Sequence, residues 1–335
     1  MNEKEQRLGA YCKTHGYDGA LLRKRANIAW LTDGADTHVD GANALGIATV
    51  LWTPGRKTVF TNNIEAGRLR DEEFSKEWAI ESVQWTDSPK IPDGRYLTDV
   101  PEDALTDLRA TLTAEEMQRA RQLGRECGAI LEGVMRRVER GWTEHAIAAE
   151  LVGDLRTEGI FAPVALVAVD DRIEKYRHPI PTSRKVERVA MGVVCAQRQG
   201  LIVCLTRLVH FGPLPGELTR KHEAVCLIDR TLHEATRPGR RWCDILAEGI
   251  AAYRETGFAD EWTLHHQGGP MGYECRDYVA TPAETRTVAA NQLVGWNPSI
   301  TGTKSEDTIL STGEVLTGTG QWPLMANGRP AILVK

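Results

Sequence analysis

The sequence predicts an α+β chain of two domains, and three observations carry that prediction. Its 335 residues are long for a single core. A helix-start signal at Thr113–Glu116 separates a Pro-, Asp- and Gly-rich stretch from a long amphipathic pattern. Beyond that point the elements repeat in order: two helices, strands, two helices, strands. This order predicts an antiparallel sheet with helix pairs on one face. The expected boundaries are 1–112 for a small α/β domain and 113–335 for the larger one.

In the first domain, Gln6–His15 has a short helix pattern. Tyr17–Leu22 and Asn27–Leu31 read as strands separated by a charged turn. Gly46–Trp52 and Thr58–Thr61 flank Pro54-Gly55 and predict a hairpin. Ile64–Phe74 is helix-like, Trp78–Trp85 strand-like, and Thr86–Asp103 irregular. In the second domain, Thr113 and Glu116 have the spacing of a capping box. Met117, Ala120, Gly124, Cys127, Leu131, Val134 and Val138 then form one stripe on a long helix. Trp142–Gly159 is the second helix, capped by Thr143 and stopped by Gly159. A strand at Val164–Val169 precedes a loop through His178-Pro179-Ile180-Pro181. Val189–Ala196 and Leu201–Val209 predict a hairpin closed by Gln197–Gly200. Helices follow at Glu217–Thr236 and Trp242–Gly257, and strands and loops from Leu264 onward.

Composition excludes several functions. The charge of −5 and the lack of a Lys/Arg block give no footing for nucleic acid or an anionic membrane. No apolar run reaches membrane length, and MNEKEQRLGAYCK lacks the apolar core of a signal peptide. Seven scattered cysteines without a CxxC predict reduced thiols and a cytoplasmic setting. The nine tryptophans are expected mostly in packing.

The chemistry concentrates in Trp296–Leu310, WNPSITGTKSEDTIL, where Asn297 and Glu306 sit at strand ends and can converge on one pocket. Ser305-Glu306-Asp307-Thr308, Trp296-Asn297-Pro298, Leu264-His265-His266-Gln267-Gly268, Thr206-Arg207 and Tyr176-Arg177-His178 together resemble, in order and in placement, the motifs of the creatinase/prolidase/methionine-aminopeptidase superfamily. The resemblance covers nearly the whole chain. It implies a pita-bread fold behind an N-terminal creatinase-type domain.

Peptidases of that family hold two divalent ions with two Asp, one His and two Glu. Here the corresponding positions are Val193, Cys204, His265 or His266, Asn297 and Glu306. Hard ions want carboxylate oxygens, and a Val cannot ligate. No dinuclear centre and no cofactor are therefore expected; a lone zinc on Cys204, His265 and Glu306 is the formal alternative. The resemblance to metal-free creatinase implies His178 as the acid/base and Arg276 as the clamp on a substrate carboxylate. Glu306 would hold a cationic group or orient a water. Arg207 would tune Glu306 or bind an anion, and Asn297 would offer a neutral donor and acceptor. His265 joins His178 and Glu306 as a catalytic candidate, and Cys204 and His266 join the substrate-binding set.

Each of these has a plainer reading: a solvated loop for His178, ordinary ion pairs for Arg207 and Arg276, packing for His266, an inert buried thiol for Cys204. As a nucleophile, Cys204 would need a lowered pKa. The expected function is metal-independent hydrolysis of an amidino, amide or lactam C–N bond in a small amino-acid-like molecule. The alternatives are a catalytically silent peptide or protein binder, an Xaa-Pro aminopeptidase or dipeptidase, and a C–N lyase. The resemblance also implies a homodimer. In it Trp30, Asp33, Asp36 and His38, in a loop after the second strand, would close the partner's site.

Overall fold

The long helix begins at Ala114, directly after Thr113, and runs to Arg137. Its expected apolar stripe is buried from Ala120 to Val134 and continues into Val138, while Met117 is half-buried. In the computed structural model, which describes residues 2–101 and 103–335, the chain divides into two compact units. One runs up to Thr113 and includes residues 199–201. The other holds residues 114–198 and 202–335.

The first unit is a five-stranded sheet in the order β4-β3-β2-β1-β5. Its strands are β1 (Gly19–Lys24), β2 (Leu45–Thr53), β3 (Arg56–Asn62), β4 (Ala79–Val83) and β5 (Tyr96–Thr98). The hairpin of β2 and β3 closes at Pro54-Gly55, with Gly55 at φ +94. Helix Glu3–His15 opens on a capping box between Asn2 and Glu5. One expectation is corrected. Asn27–Leu31 lies in a helix, Arg25–Leu31, and not in a strand. Every residue from Ala26 to Leu31 is buried, and a short run buried all round has no period to separate strand from helix. Trp30 is accordingly fully buried, not in an open loop. Asp33 is bound by Lys4 Nζ at 2.7 Å, and Asp36 contacts His38 Nδ1.

The second unit contains two sheets where one was expected. Strands β6 (Phe161–Val169), β7 (Val189–Arg198), β8 (Leu201–His210) and β14 (Leu333–Val334) form the first, in the order β14-β8-β7-β6. Strands β9 (Gly268–Met271), β10 (Leu293–Trp296) and β13 (Asp307–Leu310) form the second, in the order β13-β10-β9. The short pair β11 (Ser299–Ile300) and β12 (Thr303–Lys304) stands apart, and β14 runs parallel to β8. Each sheet carries its own helix pair. Helices Ala114–Arg137 and Glu144–Thr157 pack Leu131, Val134, Ile147 and Leu151 against Val167, Val194 and Val203. Helices Gly216–Ala235 and Trp242–Glu255 pack Ile228, Leu232, Ile245 and Tyr253 against Val294, Trp296 and Ile309. The repeat of elements is therefore a repeat of two sheet-and-helix-pair layers.

A seam joins the sheets. The Thr206 amide donates to the Glu306 carbonyl (3.1 Å), and Ile202 to Gly272 (2.8 Å). The Thr308 hydroxyl accepts from the Cys204 amide (2.7 Å) and donates to the Cys204 carbonyl (2.9 Å). One side-chain hydroxyl thus replaces a ladder pair where the sheets part, and the polar residues of interest lie along this seam.

Candidate active site

Extended chain sends alternate side chains to opposite faces, and this divides Ser305-Glu306-Asp307-Thr308. Glu306 and Thr308 face the seam. Ser305 and Asp307 face the helices. Glu306 is buried, and its Oε2 accepts from Lys304 Nζ (2.9 Å) and Thr206 Oγ1 (2.6 Å). Its Oε1 lies 3.4 Å from Arg276 Nη2. Burial opposes ionisation, but the Lys304 and Arg276 cations and these hydrogen bonds outweigh it and hold the carboxyl below its ordinary value. Lys304, two residues before Glu306 on extended chain, was missed by the sequence reading although the i, i+2 spacing puts both on one face.

Arg276 is set by a close approach. A Cβ at Gly295 would meet Arg276 Nη1 at 2.9 Å and Met271 Sδ at 2.8 Å, so the guanidinium rests against bare backbone of β10. Its Nη1 lies 3.6 Å from Cys204 Sγ, and its Nε is buried without a partner. The Cys204 thiol contacts Cys195 Sγ at 2.9 Å, across the hairpin whose turn places Gln199 and Gly200 at positive φ. The hydrogen bond to Cys195, then burial, push the Cys204 thiol well above its ordinary value. It is a thiol and not a thiolate, which removes the nucleophile reading. Val193 lies in an apolar cluster with Met191, Leu208 and Ile332.

Three imidazoles gather on the other side of the pocket. His178 Nε2 and His265 Nε2 are 3.1 Å apart, and His265 and His266 stack with ring centroids 4.4 Å apart. Burial, reinforced by Lys304, lowers the pKa of His265 to about 2. Burial, then Arg276, lowers that of His266 to about 4. His178 is lowered by burial and Lys304, with Glu306 opposing. All three are neutral near pH 7. Two distant loops are tied to bring them together. Arg177 Nη2 donates to Glu261 Oε2 (2.8 Å) and to Thr301 Oγ1 (2.9 Å), and Glu261 Oε2 also accepts from the Thr301 amide (2.9 Å). A small cavity beside them is lined by Tyr176, Arg177, Met191, His265, Ser299 and Lys304.

Asn297 is buried one step beyond the Trp296–Asp307 pair of the β10–β13 ladder, which carries it toward Glu306. Its Oδ1 has no partner. Arg207 is not in the pocket, and its expected role on Glu306 or an anion is corrected. It pairs with Glu132 (3.1 Å) and with Asp307 Oδ1 (3.0 Å), since residue 207 points away from the face that Thr206 shares with Glu306. Asp307 Oδ2 accepts from Arg329 Nη2 (2.6 Å), which completes a buried network on the helix side.

A pita-bread α+β scaffold with a pocket of His, Lys, Arg and Glu is thus defined. The sequence model of metallopeptidase family M24 matches residues 118–317, and the chain belongs to that family of hydrolases. A prolidase from Thermococcus sibiricus superposes with TM-score 0.80 at 16% identity, covering 100% of both chains. A dipeptidase from Pyrococcus horikoshii OT3 gives 0.79 at 16% identity, covering 99% of this chain and 100% of that one. The N-terminal domain of the FACT complex subunit SPT16 from chickpea gives 0.69 at 12% identity, covering 96% and 97%. No curated protein sequence matches the chain.

The donor set does not fit the two-ion centre of the family. Val193, Cys204 and Asn297 supply no carboxylate. The remaining one, Glu306, has both oxygens engaged by Lys304, Thr206 and Arg276. Hard divalent ions need several oxygens, and an ion beside two fixed cations is further disfavoured.

Proposed function

We propose that the protein hydrolyses a C–N bond, of amide, amidino or lactam type, in a small amino-acid-like or dipeptide-like molecule, without a dinuclear metal centre. The observation that carries this reading is the pair of cations, Lys304 and Arg276, on the one carboxylate Glu306. The carboxylate that the resemblance makes a metal ligand holds side-chain cations here. Their excess positive charge suits a substrate carboxylate or a developing oxyanion. His178, neutral and exposed at the pocket rim, takes a proton from water and returns it to the leaving nitrogen. His265, within hydrogen-bond reach of His178, fixes its tautomer. The unpartnered Asn297 Oδ1 and Ser299 Oγ offer acceptors for a substrate N–H. Seven free thiols support a reducing, cytoplasmic setting.

The experiment is turnover of dipeptides, guanidino acids and lactams by protein treated with chelator and dialysed. Undiminished turnover is expected, and His178→Ala is expected to lose about 10²–10⁴-fold. Turnover that requires two equivalents of Mn²⁺ would overturn the reading in favour of an Xaa-Pro dipeptidase. Binding of a peptide or protein without turnover would favour a silent relative.

A further inference from the structure

We infer that His178, His265 and His266 form a site for one borderline transition-metal ion, Zn²⁺ in the first place, separate in ligand set from the carboxylate centre of the family. Among the described residues, these are where three ligand-type side chains come together, with a ring nitrogen of each within 4.8 Å of the others. The 3.1 Å between His178 Nε2 and His265 Nε2 is close to the ~3.3 Å edge of a tetrahedron with Zn–N bonds of about 2.0–2.1 Å. His265 Nδ1 and His266 Nδ1 are buried and lack any hydrogen-bond partner, an unusual state for two imidazoles side by side.

The ligands are held from behind. Gln267 Nε2 donates to the Trp262 carbonyl (3.0 Å), and Tyr253 OH donates to Gln267 Oε1 (2.7 Å), which fixes the chain at His265-His266. The Arg177–Glu261–Thr301 clamp fixes the loop that carries His178. These contacts fix the backbone on either side of the three histidines, while the rings of His265 and His266 keep Nδ1 free of protein partners. The exposed edge of His178 leaves an entry path and a fourth position for water.

Three neutral nitrogens select the ion. Imidazole suits Zn²⁺, Co²⁺, Ni²⁺ and Cu²⁺, whereas Mn²⁺ and Mg²⁺ prefer oxygen. The neighbouring Lys304 and Arg276 are partly compensated by Glu306, and Arg177 by Glu261, so the repulsion on the ion is reduced but present. A bound ion at His178 Nε2 would replace the contact with His265 that fixes the tautomer of His178, and Zn²⁺ would silence turnover. That last consequence alone rests on the function proposed above.

The test is titration of chelator-treated, dialysed protein with CoCl₂, followed by visible absorption, then displacement by ZnCl₂. One equivalent of Co²⁺ with ligand-field bands of a four- or five-coordinate nitrogen site is expected. His178→Ala, on an exposed loop where folding is not at stake, is expected to weaken binding at least about tenfold, as is His265→Ala. Cys204→Ser is expected to leave the spectrum unchanged. No visible bands, a Co²⁺ affinity unchanged in His178→Ala, or a thiolate-to-cobalt charge-transfer band lost in Cys204→Ser would each overturn the site. Co²⁺ bound as expected with turnover intact would leave the site standing and overturn the role of His178.

Discussion

Glu306 and Asp307 are adjacent in sequence and opposite in circumstance. Asp307 is closed in. Its Oδ1 accepts from Arg207 and Thr317 (2.7 Å), its Oδ2 from Arg329, and neither it nor Arg207 has an unpartnered polar atom. Glu306 carries two cations on one carboxylate, and its side of the strand collects unpartnered atoms: Arg276 Nε, Asn297 Oδ1, Ser299 Oγ and the Nδ1 atoms of His265 and His266. The helix side has unpartnered atoms too, Asp229 Oδ1 and His233 Nε2, but these face each other at 3.1 Å. Those beside Glu306 face no opposite charge or donor of their own, and the difference marks the Glu306 side as built for something else. The same strand thus has a structural face and a receptive face, and substitutions should separate them.

The largest effect is expected on the structural face. Arg207→Met leaves Glu132 and Asp307 buried without their shared cation, and should cost about 3–5 kcal/mol in urea unfolding. A loss below about 1 kcal/mol would mean that the network does not hold the strand. On the receptive face, Lys304→Met should cost less, about 1–3 kcal/mol, because Thr206 and Arg276 still serve Glu306. With its largest lowering influence gone, the Glu306 carboxyl should titrate higher, which carboxyl ¹³C NMR would follow. An unmoved titration would show that Arg276 alone sets the charge of Glu306.

The histidines give a smaller effect with a definite sign. His266 is lowered from 6.5 to about 4 and His265 further, so both stay neutral in the folded state at a pH where the unfolded chain takes up protons. Stability should therefore fall as pH drops below 6.5, by at most about 1.4 kcal/mol per pH unit for each histidine. The carboxylates act lower, as pH falls below the ordinary 4.5 of Glu306 and 3.8 of Asp307. His266→Asn should flatten the slope between pH 6.5 and about 4, where the folded and unfolded chains differ in His266 protonation. An unchanged slope would place the proton uptake elsewhere.

This contrast also decides what could be read from sequence. The β7–β8 hairpin was legible because its turn chemistry is local, and so was the Thr143 cap, which accepts from the Ala146 amide at 3.1 Å. The division of Thr206 from Arg207 and of Glu306 from Asp307 follows from period 2, yet Arg207 was expected to act on Glu306, which lies on the other face. Motif neighbours invite that error, and alternation corrects it. The meeting of His178 with His265 and His266 was only partly legible. It depends on Arg177 reaching Glu261 across 84 residues, a contact with no local signature. The thiol pair Cys195–Cys204 looked scattered because cross-strand partners are near in space and nine residues apart in sequence. Asn27–Leu31 failed for the opposite reason, since burial on every side erases the period that reading depends on.

The smallest expected effect tests whether the receptive face binds substrate through Arg276. In Gly295→Ala, the new methyl would meet Arg276 Nη1 and Met271 Sδ, both ends of flexible side chains, so the fold can adjust at about 1 kcal/mol. The guanidinium must then shift by a few tenths of an ångström from the place where it faces Glu306. If Arg276 clamps a substrate carboxylate, KM should rise about threefold to tenfold with kcat nearly kept, because binding that is equal in ground and transition states is lost. If stability falls while KM holds, Arg276 belongs with Arg207 as a structural cation, and the excess charge beside Glu306 must then be used by Lys304 alone.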